Sequence, residues 1–391
     1  MGTGNLAGFL ATLKQALTWA NQQAALLFLI GLLLVLLRQW QLWQRDKRRL
    51  AEIKATPPLP PLETWPRLPQ VSALVAAWNE AGNIQAHIES FLALRYPHKQ
   101  LVLVAGGTDG TLELAKKYAG EQVVVLQQIQ GEGKQRALRR GLEYTAGEII
   151  YLTDADCILH NQSFETVLYP LVIGQEQVVT GTSIPSQQQL ANPFIFNQAA
   201  SILYRAYHAP KYAAGLFGRN CMVTKEAILR SGGLMAEAPS GTDYVLAKML
   251  TRAGIAIRQQ SRSQVISDFP SSLGEYYLQQ LRWMRNVAVI GKQFMAIHEV
   301  RAIWINALTG LGMLLMPIVA AIWIPVLWAF WGELLAYGWL ARLRYAKFTS
   351  IMREVPAEVK YLMRIPGFLI LDFIIWAGAI PQLLQKRMRW V

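Results

Sequence analysis

Cysteine and histidine are scarce in this chain of 391 residues, which has two cysteines, Cys157 and Cys221, and five histidines. The two cysteines lie far apart and match no zinc-binding spacing, so we expect two buried free thiols. The histidines show no ligand spacing either. A metal site built from cysteine and histidine is therefore not expected.

Several other signatures are missing. The Gly-x-Gly-x-x-Gly fingerprint is absent, which argues against a dinucleotide-binding domain. There is no internal repeat and no low-complexity tract. The first apolar run is long and has no small-residue cleavage pattern behind it, so it is expected to be an anchor and not a cleavable signal peptide.

Acidic residues are also few, with 25 Asp and Glu against 38 Lys and Arg, which gives a formal net charge of +13. Hydrophobic residues make up 53% of the chain and occur in blocks. The basic residues cluster beside these blocks, as in the cytoplasmic loops of membrane proteins. The bilayer is therefore the expected partner of the positive charge, and nucleic acid is not.

The apolar blocks predict a multi-pass membrane protein. Residues 24–37, extended backwards to residue 17, can span a bilayer together with interfacial flanks. The basic residues that follow from Arg38 place this end in the cytoplasm and the N-terminus outside. Residues 303–340 are long enough for two spans, and a last span is expected over residues 365–384, with Asp372 inside it.

The sequence does not decide on which side of the membrane the C-terminus lies. The basic cluster at residues 386–389 favours the cytoplasm, whereas simple alternation of the spans places it outside. A re-entrant last segment would reconcile the two. The sequence leaves the exact number of spans and the oligomeric state undecided.

Between the apolar blocks, the pattern changes to alternating strands and helices. Strands are predicted at residues 71–77, 101–104, 123–126 and 149–152, and helices at 83–93, 112–118 and 134–144. This order indicates an α/β domain with a largely parallel sheet covered by helices. The predicted segments are an anchor (1–50), a proline-rich linker (51–69), the α/β domain (70–270), an interfacial helical region (271–300) and a C-terminal membrane region (301–391).

The central feature of the α/β domain is a buried strand that runs out into Asp154 and Asp156. Side chains two residues apart in an extended chain point to the same face, so the two carboxylates should lie together. Carboxylates at the carboxyl end of a strand suit Mg²⁺ or Mn²⁺, whose other positions go to phosphate and water. The alternative is a turn in which each aspartate caps local backbone.

Other polar residues follow the neighbouring strands. Asn79 and Glu80 come after the first strand, with a helix cap as the alternative role of Asn79. A glycine-bearing loop, residues 106–111, ends the second strand and is either a ligand-binding loop or a plain turn. Lys134 opens the third helix, where it can reach a phosphate or stay solvated.

These motifs, in this order, resemble the family 2 glycosyltransferases, which have the GT-A fold. The resemblance covers roughly residues 70–290. It is carried by Trp78-Asn79-Glu80, Thr108-Asp109-Gly110-Thr111, Gly133-Lys134, Asp154-Ala155-Asp156, Gly218-Arg219-Asn220, Gly232-Gly233, Thr242-Asp243-Tyr244 and the Gln-x-x-Arg-Trp motif from Gln279 to Trp283. Ceramide glucosyltransferases and polysaccharide synthases share the last motif.

The resemblance implies a role for each matched residue. Asp243 matches the catalytic base of an inverting transfer, and Asp154 and Asp156 match the ligands of the metal ion. The residues implied in donor binding are Ala77, Asn79, Glu80, Asp109, Lys134, Asp154, Asp156 and Arg282. The residues implied in acceptor binding are Arg219, Asn220, Gln279 and Trp283.

One stretch departs from the family pattern. The family usually carries acidic residues at the end of the second strand, where they help to hold the base, normally uracil. Here residues 104–106 are Val-Ala-Gly, and Glu80 and Asp109 are the carboxylates that can compensate. A UDP-sugar is the expected donor, with the identity of the base left open.

The resemblance predicts a metal-dependent, inverting glycosyltransferase in the plasma (inner) membrane, with its catalytic domain in the cytoplasm. The expected acceptor is a membrane lipid, because three or four spans are few for enclosing a polymer channel. A processive polysaccharide synthase is the alternative. A non-catalytic subunit of a synthase complex is supported only by the missing acid near Ala105.

Overall fold

The computed structural model describes residues 3–238 and 240–384. The basic cluster at residues 386–389 lies outside the described residues. The strands are β1 (Val71–Trp78), β2 (Lys99–Gly106), β3 (Val123–Gln127), β4 (Ile149–Thr153), β5 (Cys157–Ile158), β6 (Val178–Ile184), β7 (Tyr212–Ala213), β8 (Asn220–Thr224) and β9 (Ile257–Ser267).

The helices up to the end of the α/β region are α1 (Thr3–Gln22), α2 (Ala24–Ala55), α3 (Ile84–Leu92), α4 (Thr111–Lys116), α5 (Gly133–Leu142), α6 (Asn161–Ile173), α7 (Gln187–Leu190), α8 (Pro193–His208), α9 (Lys225–Ser231) and α10 (Thr242–Arg252). They are followed by α11 (Leu273–Gln293), α12 (Ile297–Ile322), α13 (Leu327–Arg353), α14 (Val359–Gly378) and α15 (Ile380–Leu383).

The described residues form two compact units. One comprises Pro57–Tyr276 and Asn286–Ala296, and the other comprises the N-terminal residues up to Thr56, Tyr277–Arg285 and Ile297–Leu384. We call the first the sheet unit and the second the helical unit.

The sheet unit is built on nine strands in the order β3-β2-β1-β4-β8-β6-β9-β5, with β7 paired to β9. Strands β1, β2, β3, β4, β6 and β9 run in one direction, and β5, β7 and β8 run against them. The predicted α/β domain with a mostly parallel sheet covered by helices is confirmed. Antiparallel β8 separates β4 from β6, and the sequence pattern did not reveal this.

Helices cover both faces of the sheet. Val71, Ala73 and Val75, which are alternate residues of β1, belong to one core together with α3, α4 and α6. Leu74 joins the opposite core, with α5, α9 and α10. Because both faces are buried, the central strands are almost continuously apolar, as parallel strands usually are. The residues that directly follow β1, β2 and β4 are more accessible than the strands: Asn79 and Gly107 are exposed, and Asp154 is half-buried.

The helical unit contains three helices that are long and apolar enough to cross a membrane, as judged over the described residues: Ala24–Ala55, Ile297–Ile322 and Val359–Leu383. The run at residues 303–340, predicted as two spans, is divided between α12 and α13, and α13 is not among these three. It extends to Arg353 and contains several charged residues, which lower its hydropathy.

Close packing and ion pairs hold the helical unit together. A Cβ atom added at Gly310 of α12 would lie 2.6 Å from the carbonyl oxygen of Phe373 in α14, so glycine permits this approach. Arg344 of α13 contacts Asp46 of α2, with Nη1 2.5 Å from Oδ2, and its Nε donates to Gln39. The Asp46 side chain is fully buried, so Arg344 supplies the charge that its burial requires.

Candidate active site

The two predicted metal ligands lie at the carboxyl end of β4. Asp154 and Asp156 retain 25% and 19% of their side-chain exposure, whereas Ala155 between them is buried. The segment is not extended as predicted: β4 ends at Thr153, and Ala155 and Asp156 form a turn in which the N–H of Cys157 donates to the carbonyl oxygen of Asp154 at 3.1 Å. The turn that the sequence left as the alternative is therefore present, and both carboxylates remain partly accessible in it.

Two cationic side chains contact these carboxylates. The Lys134 ammonium pairs with Oδ1 of Asp154. Arg219 lies against both acids, with Nε 3.6 Å from Oδ2 of Asp154 and Nη1 3.8 Å from Oδ2 of Asp156. The site therefore gathers two anions and two cations from α5, from the chain that follows β4 and from the residue that precedes β8.

Ser267, at the end of β9, links the second acid to the arginine. Its hydroxyl donates to Oδ2 of Asp156 at 3.0 Å and accepts from Nη1 of Arg219 at 2.5 Å. Sequence reasoning missed Ser267, because it lies 111 residues beyond Asp156 and belongs to no motif. Only the position of β9 beside β5 and β6 brings it to the site.

The start of α5 positions Lys134. Gly133 has a φ of +73°, a backbone conformation that favours glycine and turns the chain into the helix. The next side chain, Gln135, is buried and donates to the carbonyl oxygens of Leu234 and Ala236 at 3.0 Å. Lys134 is thus held by a helix whose first turn is fixed to the loop that leads towards Asp243.

Asp243, the predicted base, lies in the first turn of α10. Its Oδ1 accepts from the backbone N–H of Tyr244 at 2.9 Å. A Cβ atom added at Gly218 would lie 2.8 Å from the Cβ of Asp243, so glycine lets the chain before Arg219 approach this aspartate. The side chain is exposed to water but closely surrounded by protein.

The pKa values of Asp154 and Asp243 are shifted in opposite directions. Burial alone would raise the pKa of Asp154, but Lys134 and Arg219 outweigh that effect and hold the pKa below its ordinary value. Desolvation raises the pKa of Asp243, and Lys134 only partly opposes the rise. For Lys134, desolvation is outweighed by the attraction of Asp154, and its pKa is raised. Asp154 is therefore set up as a permanent anion and Asp243 as the stronger base.

The loops after β1 and β2 brace each other. Oδ1 of Asn79 accepts from the N–H of Thr108 at 2.8 Å, and Oδ2 of Asp109 accepts from the N–H of Ala81 at 2.9 Å. A Cβ atom at Gly107 would lie 2.1 Å from Oδ1 of Asn79, so the loop requires glycine there. Asn79 does not cap α3, whose N-cap residue is Asn83.

Glu80 lies beside these loops and is half-buried. Burial raises its pKa above the ordinary value, and the charges of Asp156 and Asp154 add to the rise. Its Oε2 accepts from Nδ2 of Asn83 at 3.0 Å, which partly offsets the burial. Glu80 is therefore close enough to Asp154 and Asp156 for their charges to raise its pKa.

Two of the predicted site residues are inaccessible. Ala77 is completely buried, and so is Asn220. The Asn220 amide donates to Thr182 and Ser263, and its Oδ1 accepts from Tyr151 at 3.2 Å. These contacts are those of a structural residue, and direct roles of Ala77 and Asn220 in binding remain predictions from the resemblance.

The Gln-x-x-Arg-Trp motif lies on α11, in the helical unit. Gln279 is half-buried, Arg282 is exposed and Trp283 is 39% exposed. Within the helical unit, a Cβ atom at Gly378 would lie 2.5 Å from the Tyr277 hydroxyl, so α14 packs closely on the start of this segment. The predicted roles of the motif residues remain predictions.

The donor set at Asp154 and Asp156 fits a hard divalent cation. The described residues contain no group of three or more Asp, Glu, His or Cys side chains that could hold a metal ion by themselves. Mg²⁺ and Mn²⁺ commonly take one or two carboxylates and complete their coordination with phosphate oxygens and water. These two acids can therefore serve a cation that arrives together with a diphosphate.

A family model matches most of the α/β region of this chain. The model, described as "Glycosyltransferase like family 2", matches residues 69–286, which is more than half of the chain. The chain therefore belongs to this glycosyltransferase family, and the sequence prediction of a family 2 glycosyltransferase domain is confirmed.

Individual relatives match shorter stretches. "Glycosyltransferase AglE" of Haloferax volcanii is 33% identical over 103 residues, which cover 25% of this chain and 34% of that protein. A poly-β-1,6-N-acetyl-D-glucosamine synthase of Staphylococcus epidermidis is 30% identical over 97 residues, 24% of this chain and 23% of that protein. The matched stretches thus span about a third or less of these relatives.

Among solved structures, the chain resembles a mannosyltransferase, PcManGT from Pyrobaculum calidifontis, in complex with GDP-Man and Mn²⁺. The TM-score is 0.49 and the identity 18%, with 93% of this chain and 96% of that chain covered. A likeness at this level supports no inference about the substrate or metal of this chain.

Proposed function

We propose that this chain is an inverting, metal-dependent glycosyltransferase that moves a sugar from a nucleotide-sugar, with a UDP-sugar as first candidate, to a membrane lipid. The observation that carries the proposal is the convergence of Lys134, Asp154, Asp156, Arg219 and Asp243 on one edge of the sheet. Family membership supplies the reaction class.

The charges of the site suit a diphosphate leaving group. Lys134 and Arg219 offer ammonium and guanidinium donors, and a guanidinium binds phosphate oxygens in a planar, bidentate manner. Asp154 and Asp156 would hold Mg²⁺ or Mn²⁺, which supplies Lewis-acid stabilisation of the charge on the leaving diphosphate. Both cationic side chains already contact these acids, so they lie where the phosphates are required.

Asp243 supplies the base. In an inverting transfer, the acceptor hydroxyl gives its proton to a carboxylate while its oxygen attacks the anomeric carbon. The bond between that carbon and the diphosphate oxygen breaks, and the nucleoside diphosphate leaves with the electron pair. A raised pKa brings a carboxylate closer to the operating pH, which makes it a more effective base.

A lipid acceptor and a position in the inner membrane are proposed from the helical unit. Its three helices of membrane-spanning length would anchor the chain, and with it the transferase domain, in a bilayer that contains lipid acceptors. The basic residues that follow the apolar part of α2 favour a cytoplasmic location for the sheet unit, where nucleotide-sugars are available. Gln279 and Trp283 are proposed to contact the acceptor and Arg282 the donor, as the family resemblance implies.

A processive polysaccharide synthase is the second candidate. It is favoured by the names of the Staphylococcus relatives, which are poly-β-1,6-N-acetyl-D-glucosamine synthases. A non-catalytic subunit is disfavoured, because Asp154, Asp156, Lys134 and Asp243 form a connected group of charges that a structural role does not require.

Product analysis tests the proposal. Membranes that contain the full chain are incubated with Mn²⁺ and a panel of radiolabelled UDP- and GDP-sugars, and the products are separated by solvent extraction and size. Label in a lipid-soluble product of low mass supports the proposal, and a long water-insoluble polymer supports the second candidate. The absence of product with every donor, while donor binding persists, would contradict both.

Two variants of Asp243 make the test specific. Asp243→Asn should lower turnover by about 100-fold or more with little change in donor binding, because a general base is lost but the shape is kept. Asp243→Glu retains a carboxylate and should keep measurable turnover. Full activity of Asp243→Asn would remove this residue as the base.

A further inference from the structure

His87 is a polar residue in the core of the sheet unit, and the proposed function does not use it. It lies in the middle of α3 and has no exposed surface. Ile84, Ile88 and Phe91 of the same helix are also completely buried and belong to the apolar core on that face of the sheet. A polar ring in such a position costs free energy unless it is hydrogen-bonded.

One ring nitrogen of His87 makes such a bond. Nδ1 lies 2.7 Å from the carbonyl oxygen of Cys157. A carbonyl oxygen only accepts hydrogen bonds, so Nδ1 carries the proton and donates it. The other nitrogen, Nε2, is buried and has no hydrogen-bond partner among the described residues. An apolar side chain would leave no such atom unsatisfied, so the bond to Cys157 is what the histidine contributes.

The ring is neutral when it makes this bond. Burial lowers the pKa of His87, and the bond to Cys157 and the charges of Asp156 and Asp154 only partly oppose that effect. A neutral imidazole carries one N–H, and the contact with Cys157 assigns it to Nδ1. The histidine therefore adds a directed hydrogen bond to this part of the core without adding a buried charge.

Cys157 closes the turn that carries the two candidate metal ligands. Its N–H donates to the carbonyl oxygen of Asp154 at 3.1 Å, and its thiol lies 3.5 Å from Oδ1 of Asp156. Both backbone polar groups of Cys157 are thus held, the N–H within the turn and the carbonyl group by His87. The conformation of the turn is therefore coupled to the position of α3.

A second side chain of α3 holds the chain just beyond the turn. Oγ of Ser90 accepts from the N–H of Leu159 at 3.1 Å and donates to the carbonyl oxygen of His87 at 2.8 Å. Ser90 follows His87 by three positions, a spacing that places both side chains on one side of the helix. The segment that leaves the turn is therefore bound to α3 at two points.

The first turn of α3 is tied to the loop that follows β1. The N–H of Ile84 donates to the carbonyl oxygen of Glu80 at 2.9 Å, and Nδ2 of the N-cap residue Asn83 donates to Oε2 of Glu80 at 3.0 Å. Glu80 is one of the residues that the family resemblance implies in donor binding. Helix α3 therefore connects this loop to the turn that contains Asp154 and Asp156.

We propose that His87 is a positioning residue of the metal site, which holds the turn of Asp154 and Asp156 in the geometry that a divalent cation requires. It acts through the backbone of Cys157 and touches neither the donor nor the cation. This inference rests on the proposed function and adds to it a residue outside every motif. Partners that orient metal ligands commonly affect metal affinity by about tenfold or more.

Mn²⁺ titration tests the proposal without requiring turnover. The full-length protein is purified in detergent, and free Mn²⁺ is measured by electron paramagnetic resonance. His87→Leu removes the donor and should raise the half-saturating Mn²⁺ concentration by about tenfold. His87→Asn carries an amide nitrogen on Cγ, where the ring carries Nδ1, and should stay within about threefold of the wild type.

Ser90→Ala tests the same coupling at the second point of attachment. It deletes the hydroxyl that holds Leu159 and should raise the half-saturating Mn²⁺ concentration by about threefold. If His87→Leu does not fold, this variant takes its place. Wild-type Mn²⁺ binding in Ser90→Ala would then contradict the proposal.

Tyr96→Phe is the matched control for stability. The Tyr96 hydroxyl is buried in the same core and donates to the carbonyl oxygen of Pro69 at 2.6 Å. Pro69 lies just before β1, at the opposite end of that strand from the site. Tyr96→Phe also deletes a buried bond to a backbone carbonyl group, so the midpoint of thermal unfolding should fall while Mn²⁺ binding stays that of the wild type.

The outcomes separate this inference from the proposed function. Wild-type Mn²⁺ binding in a folded His87→Leu, or equal weakening in His87→Leu and His87→Asn, would overturn the role of His87 while sugar transfer by the wild type is retained. An equal weakening in Tyr96→Phe would also overturn it, because a general loosening of the core would then explain the effect. A wild type that binds no Mn²⁺ would contradict the proposed metal site, and this inference with it.

Discussion

Nε of Arg219 lies 3.6 Å from Oδ2 of Asp154, so the arginine that precedes β8 neutralises a carboxylate expected to bind a metal ion. The family resemblance implied that Arg219 contacts the acceptor, whereas its contacts are with the residues implied in donor and metal binding. An arginine in this position competes with a divalent cation for the same oxygens.

Arg219→Gln should therefore bind Mn²⁺ more tightly than the wild type in the absence of donor. Removing one nearby positive charge should lower the half-saturating concentration by about fivefold or more at low ionic strength. The measurement is the titration of free Mn²⁺ by electron paramagnetic resonance on purified protein. Arg219→Lys retains the charge and is the control. Weaker Mn²⁺ binding by Arg219→Gln would show that the arginine supports the metal site.

Ser267 should affect the metal site through Asp156. Ser267→Ala removes the hydroxyl that donates to Oδ2 of Asp156, and loss of such an orienting partner commonly costs about tenfold or more in metal affinity or activity. Mn²⁺ activation curves of the transfer reaction measure the effect. Ser271→Ala, at an exposed position, is the control. Identical activation curves for both variants would contradict the proposed role.

The pH dependence should report Asp243. Desolvation raises the pKa of this carboxyl, and the residue accepts a proton only when it is ionised. As the pH is lowered, kcat should therefore begin to decrease at a higher pH than it would with an ordinary aspartate. Lys134 opposes the rise, so Lys134→Met should move the acidic limb to still higher pH at saturating donor. Lys117→Met, an exposed lysine variant, should leave it unchanged. A shift to lower pH in Lys134→Met would contradict the assignment.

The buried pair of Asp46 and Arg344 predicts a non-additive effect on stability. Arg344→Leu leaves the fully buried Asp46 without its cation and should cost about 3–5 kcal/mol. The double variant Asp46→Leu, Arg344→Leu should recover most of that loss, because no unpaired charge stays buried. Thermal unfolding of purified protein in detergent compares them. Equal or greater destabilisation in the double variant would contradict this account.

Much of the sheet unit was predictable from local pattern. The apolar run before Asp154 sufficed to predict the buried strand β4, because strand patterns are local. The extended spacing predicted from Asp154 to Asp156 was wrong, since a turn at Ala155 and Asp156 takes its place. Both cysteines are buried and free, as predicted. Strand β2 proved longer than predicted, since its whole length pairs with β1 through the backbone.

The contacts within the candidate site that were not predicted join residues that lie far apart in the sequence. Arg219 reaches Asp156 from just before β8 and Ser267 from the end of β9, and no local pattern specifies which strands lie next to one another. The contact of His87 is of the same kind, with Nδ1 2.7 Å from the carbonyl oxygen of Cys157. For Lys134 the sequence allows either a phosphate ligand or a solvated lysine, and only the assembled sheet brings this lysine to Asp154.

The central claim is that Asp154 and Asp156 bind a donor diphosphate through a divalent cation. Calorimetric titration of the full chain with the nucleoside diphosphate of the active donor, with and without Mn²⁺, tests it most directly. Asp156→Ala should weaken the Mn²⁺-dependent binding by about tenfold or more, whereas Glu148→Ala, at an exposed residue paired with Arg67, should bind like the wild type. Unchanged affinity and unchanged Mn²⁺ dependence in Asp156→Ala would contradict the account.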